Sequence, residues 1–174
     1  MTTFRPEEIV RVLDEERVSD VVVGGYAARL YGARRPTEDI DISPAVDTDN
    51  LTALTRALKR LDSRTRVAEV PGGLPFDTSA EALRGITILN LTTRYGDLDL
   101  TVVPAGTGGF ADLVGSAVAH SLEGRPVLVA ALSDVIRSKE AAGRPKDLEA
   151  LPELYRLARR DEQTSTADDA GRQD

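Results

Sequence analysis

The sequence predicts an α+β fold: a small mixed β-sheet flanked by helices and followed by C-terminal helices. Two segments, DIDI at 39–42 and DLDL at 97–100, alternate acid and apolar residues with the period of a half-buried strand. Leu51, Leu54, Leu58 and Leu61 recur at the spacing of an amphipathic helix. Strand and helix signals mix without a regular βαβ alternation, so the sheet is expected to be mixed and the helices to pack against it.

Taken in order, Pro6 opens a first helix with Ile9, Val10, Leu13 and Val18 near helical spacing. Val21–Val23 form a short buried strand that Gly24 and Gly25 break, and a helix resumes over Tyr26–Tyr31 until Gly32. Ile40 and Ile42 point into the core of the next strand, and the leucine helix follows. Residues 68–84, with Pro71, Gly72, Gly73 and Pro75, read as a loop carrying one helical turn. ITILNLTT at 86–93 and DLDLTVV at 97–103 read as strands joined at Gly96. PVLVAAL at 126–132 is a further apolar segment, followed by helices over Ser133–Ala142 and Lys146–Arg159.

A chain of 174 residues with 41% hydrophobic content fits one domain with a sizeable core, expected over residues 1–160. With no cysteine there is no disulfide, thiolate metal site or cysteine nucleophile. No basic and apolar leader and no membrane-length apolar run is read, so the expectation is a cytoplasmic protein without a membrane partner. Residues 161–174 hold five acids and one arginine, or −4 of the net −7, and are expected to be a disordered acidic tail. The remaining −3 argues against broad binding to duplex DNA while leaving room for a local basic patch.

Gly24-Gly25 between a strand and a helix reads as a tight turn, or as a turn whose backbone can approach phosphate oxygens. Asp39 and Asp41, two residues apart, share one strand face, as a solvated edge or as hard oxygen ligands suited to Mg2+. The later strand offers Asp97 and Asp99, of which Asp97, next to Gly96, also reads as a turn acid. Carboxylates on neighbouring strands are what metal-assisted phosphoryl transfer requires, because attacking and leaving oxygens both develop charge. Lys139, Arg144 and Lys146 cluster at a helix break where Gly143 ends one helix and Asp147 helps start the next. They read either as phosphate-neutralising cations or as solvent-facing bases of an interhelical turn. Arg34 and Arg35 are open in the same way, between a solvated loop and acceptor contact, and His120, with nothing nearby to orient it, is given no catalytic role.

Gly24-Gly25, Thr37-x-Asp39-Ile40-Asp41 and Leu98-Asp99-Leu100, taken together, resemble the signature of the DNA polymerase β-like nucleotidyltransferase superfamily, above all its small AbiEii/AbiGii toxin-like bacterial members. The likeness runs from about Val21 to Leu154, and SKEAAGRPKD at 138–147 resembles their C-terminal element. It implies a nucleotidyltransferase fold, with Gly24 and Gly25 holding the triphosphate of an NTP and Asp39, Asp41 and Asp99 as the Mg2+ (or Mn2+) carboxylates. Lys139, Arg144 and Lys146 would then meet phosphate. The departure is Gly25, where many members carry a serine. The activity so implied is transfer of a nucleoside monophosphate from NTP to a hydroxyl of a tRNA 3′ end, a protein or a small molecule, releasing pyrophosphate. A toxin–antitoxin or defence role with a cognate toxin or antitoxin partner comes with the same resemblance. The alternatives are a catalytically weak partner-binding protein and a nucleotide-sensing module.

Overall fold

In the computed structural model, which describes residues 3–170, the chain forms a single sheet of eight strands with seven helices. The order of elements is α1 (Pro6–Glu15), β1 (Asp20–Val23), α2 (Gly24–Leu30), β2 (Asp39–Pro44), α3 (Thr48–Arg60), β3 (Arg64–Val67) and β4 (Val70–Leu74). These are followed by α4 (Ala80–Leu83), β5 (Ile88–Thr93), β6 (Gly96–Thr101), α5 (Phe110–Leu113), β7 (Val118–Leu122), β8 (Arg125–Val129), α6 (Leu132–Ala142) and α7 (Pro145–Ala170). The strands lie in the order β4-β3-β5-β6-β2-β1-β8-β7, and the sheet is mixed as expected: β2 pairs parallel with β6 and β1 with β8, and the other pairs are antiparallel.

The alternation in the two acid-rich segments sets the centre of this sheet. Ile40 and Ile42 of β2 and Leu98 and Leu100 of β6 are almost fully buried, and they join Ile9 and Leu13 of α1 and Leu54 and Leu58 of α3 in one core. Each such side chain contributes about 1.5–3 kcal/mol by leaving water, and a strand's period of two then commits the aspartates to the opposite face. Helix α3 starts where Asp47 accepts a hydrogen bond from the backbone N–H of Asn50 at 3.0 Å. Buried Asn50 in turn takes the Ser19 N–H (2.7 Å) and donates to the Ser19 and Ala45 carbonyls (2.9 and 2.7 Å), tying the start of β1 to the end of β2. Helix α6 packs on both α2 and α7.

Several boundaries differ from the expectations. The loop expected over 68–84 contains a strand, β4, as well as its one helical turn, α4. Strand β3 ahead of it carried no apolar signal because all four of its residues are only half-buried. Strand β7 sits at the sheet edge with a weakly apolar sequence, VAHSL, and contains His120, whose ring meets Tyr31 edge-on at 4.8 Å. Helix α2 starts at Gly24 rather than Tyr26. Helix α7 continues past residue 160 to Ala170 and so takes in most of the segment expected to be disordered. Once a helix is nucleated by packing, as α7 is through buried Leu151 and Leu154, each further turn costs little to add. Residues 171–174 of the expected tail lie outside the described residues. No helix among the described residues is long and apolar enough to cross a membrane.

Candidate active site

Parallel pairing of β2 and β6 puts Asp39 opposite Asp97 and Asp41 opposite Asp99, so four carboxylates form a two-by-two array on one face. The rows extend outward through β5, where Thr92 partners Asp97 and Asn90 partners Asp99. They extend inward to β1, where Val23 partners Asp41, and Gly24 follows at once. The sequence brought Gly24, Asp39, Asp41 and Asp99 together by resemblance; the strand register brings them together in space.

Gly24 has φ +66°, a left-handed conformation that glycine adopts without penalty. A Cβ built on it would lie 2.5 Å from Asp41 Oδ2 and 2.9 Å from its Cγ, so the absence of a side chain is what lets the Asp41 carboxylate lie on the β1–α2 turn. A Cβ on Gly25 would approach Thr37 Oγ1 at 3.3 Å. Thr37 itself donates to Asp39 Oδ1 at 2.6 Å, which fixes that carboxylate and gives Thr37 of the sequence signature a positioning task. Gly24 therefore serves Asp41 directly, and Gly25 leaves room for the threonine that holds Asp39.

Burial, followed by the charges of Asp39 and Asp99, pushes the Asp41 carboxyl up to about 7, with Lys146 and Lys139 pulling the other way. Among the described residues neither Asp39 nor Asp41 forms an ion pair. The β6 carboxylates are different. Arg66 of β3 pairs through Nη1 with Asp97 Oδ2 at 2.5 Å, and its Nη2 donates to Asp99 Oδ1 and Oδ2 at 2.6 and 2.7 Å. Burial raises the Asp99 carboxyl while Arg66 opposes the rise. Arg66 lay in a stretch with no motif or periodicity, and only its reach across β5 to the acids reveals it.

The basic cluster is arranged more tightly than the sequence suggests. Asp147, 1% exposed, accepts from Arg144 Nε at 2.6 Å and from Lys139 Nζ at 3.3 Å. Arg144 and Lys139 together hold its carboxyl below the usual range despite burial. Gly143 ends α6 in the left-handed conformation, φ +60°, and its N–H bonds the Lys139 carbonyl, as a helix-terminating glycine should. Lys139 and Arg144 are thus cations already paired to a buried acid, Lys146 and Lys139 both favour the charged Asp41 carboxylate through space, and Lys146 is exposed. Arg35 is bound into the same corner, donating to Glu149 at 3.1 Å and to the Lys146 carbonyl at 3.3 Å, and the Arg34 backbone N–H donates to Glu153. The Arg35 side chain and the Arg34 backbone therefore join the loop to α7.

Asp39 and Asp41 fit a divalent cation: they are hard oxygen donors on one face, one of them destabilised as an anion, with no cationic side chain among the described residues paired to either. Asp99 has both oxygens engaged by Arg66, and no ready-made metal group of three or more acid or histidine side chains occurs among the described residues.

The strand–glycine–helix turn beside paired carboxylates on a mixed sheet belongs to a fold shared with solved nucleotidyltransferase structures. No family model and no curated protein matches the chain. Solved structures match over nearly the whole length. The chain is similar to the lincosamide antibiotic adenylyltransferase LnuA bound to lincomycin, with TM-score 0.59 and 13% identity over 90% of this chain and 99% of that one. It is similar to the Thermotoga maritima protein TM1012, a candidate nucleotidyltransferase, with TM-score 0.54 and 17% identity over 89% and 96%. It is also similar to the antibiotic-resistance factor ANT(2'')-Ia, with TM-score 0.52 and 18% identity over 95% and 94%.

Proposed function

We propose that the chain is a nucleotidyltransferase that moves a nucleoside monophosphate from an NTP to a hydroxyl acceptor. The observation that carries this reading is the register that sets Asp41 beside Asp99 while Gly24 leaves room for the Asp41 carboxylate. The acceptor oxygen attacks the α-phosphorus, the bond from that phosphorus to the oxygen bridging to the β-phosphate breaks, and pyrophosphate leaves with the bonding pair. The hydroxyl proton passes to a carboxylate of the array, a role assigned to Asp99 as the acid opposite Asp41.

Asp39 and Asp41 would hold Mg2+ or Mn2+. When bound, the ion supplies positive charge against the triphosphate oxygens and the developing negative charge. The chain's own residues do the rest. Thr37 orients Asp39, and Gly24 and Gly25 keep side chains out of the turn where phosphate approaches. Lys139 and Lys146 already act on Asp41, and with Arg144 they place positive charge on the phosphate side.

A small hydroxylated molecule is the favoured acceptor, because LnuA was solved with lincomycin and ANT(2'')-Ia with adenylyl-2''-tobramycin. The toxin-like subgroup and a toxin–antitoxin partner rest on the sequence signature alone. Labelled NTPs, supplied with Mg2+ and separately with small hydroxylated molecules, RNA and protein, test the reading. Label entering one acceptor class with wild type and not with Asp41→Asn supports it; equal labelling by both proteins overturns it.

A further inference from the structure

Arg66 reaches across β5 to the two acids of β6. Its Nη1 meets Asp97, and its Nη2 meets both oxygens of Asp99, at 2.5–2.7 Å. Distances this short mark charge-assisted hydrogen bonds, and engagement of both oxygens fixes the plane of the carboxylate as well as its charge. The Asp99 side chain is 12% exposed and that of Arg66 31%, so the pair is screened by little water. Across the register, Asp41 has no such partner among the described residues: Lys139 is paired to Asp147 and acts on Asp41 only through space. A divalent ion at Asp99 would have to displace the guanidinium from both oxygens and leave Arg66 with Asp97 alone.

We propose that Arg66 takes the place of a second divalent ion: the chain loads one ion, at Asp39 and Asp41, and Arg66 positions Asp99 as a metal-free carboxylate. Arg66 is thus a positioning residue acting through Asp99, and the inference rests on the nucleotidyl-transfer reading of the same site. The guanidinium supplies fixed charge beside the acceptor, where it needs no loading from solution. Its removal frees two oxygens of a carboxylate directly opposite Asp41, which is the geometry a second ion needs.

The test counts Mn2+ bound per chain by electron paramagnetic resonance, in the presence of an α,β-methylene NTP analogue that cannot transfer. Wild type is expected to bind one ion and Arg66→Gln two, with Arg66→Lys returning to one. Arg66→Gln combined with Asp99→Asn is also expected to bind one, since the oxygens that Arg66 released are gone. Should Arg66→Gln not fold, wild type and Asp99→Asn still decide the matter, because both are expected to bind one ion. Two ions in wild type falling to one in Asp99→Asn overturns the inference while leaving nucleotidyl transfer intact, as does a folded Arg66→Gln that stays at one. No ion in wild type with the analogue overturns the functional reading and this inference together.

Discussion

Strands β2 and β6 carry the same Asp-x-Asp spacing, face the same way and lie in register, yet their acids are treated in opposite ways. On β6 a single arginine satisfies both carboxylates from within the chain. On β2 Asp39 has a threonine hydroxyl, and Asp41 has a glycine where a side chain would have crowded it and a carboxyl pushed up to about 7. Like charges this close repel, and the repulsion is relieved either by a compensating cation or by one carboxyl keeping its proton. On the proposed reading, the difference marks where a ligand's positive charge is needed and where the protein has already provided it.

The largest expected effect of breaking this asymmetry is at Asp41. Asp41→Asn should abolish transfer and also raise thermal stability. The carboxyl moves from 3.8 to about 7 on folding, so its ionisation opposes the fold. The cost is absent below pH 4, grows as pH rises towards 7, and has an upper bound of about 4 kcal/mol above that. Melting curves should therefore show the variant several degrees above wild type at pH 8 and level with it at pH 3.5. A variant that is no more stable at pH 8 would mean that the Asp41 carboxylate is compensated in the free protein.

Asp99→Asn comes next, with transfer slowed at least about a hundredfold and NTP affinity much less affected, as steady-state rates and calorimetry would show. Gly24→Ala adds a methyl at a positive φ and against Asp41 Oδ2. It should destabilise by about 1–3 kcal/mol in urea unfolding and weaken NTP binding by about tenfold, because Asp41 must turn away. Asp97→Asn, which leaves Arg66 on Asp99, should change the transfer rate only a few-fold. A larger loss there would make Asp97 an equal partner in holding Arg66.

Much of this site is legible in the sequence because its acids ride on strands with strong apolar partners. Ile40, Ile42, Leu98 and Leu100 fix the period, and the period fixes the acid face. Gly24-Gly25 marks the turn, although its service to Asp41 emerges only when β1 and β2 pair. Arg66 escapes sequence reading because β3 is half-buried throughout and its arginine acts across two strand intervals, a relation with no local spacing. Asp147 is read as a helix-start residue, which it is by position; its pairing with Lys139 depends on how α6 and α7 fold back on each other. Strands β4 and β7 escape for the reason that edge strands often do: Pro71, Gly72 and Gly73 in one, and an apolar run interrupted by His120 and Ser121 in the other, are what an unpaired edge tolerates.

The most direct test of the contrast between β2 and β6 is the calorimetric affinity of an α,β-methylene NTP analogue, with Mg2+ and with EDTA, for wild type, Asp41→Asn and Asp97→Asn. Wild type and Asp97→Asn are expected to bind far more tightly with Mg2+ than with EDTA, and Asp41→Asn to lose that gain. Equal affinity with Mg2+ and EDTA in wild type, or a full Mg2+ gain retained by Asp41→Asn, would contradict the assignment of the β2 carboxylates as the place where the cation binds.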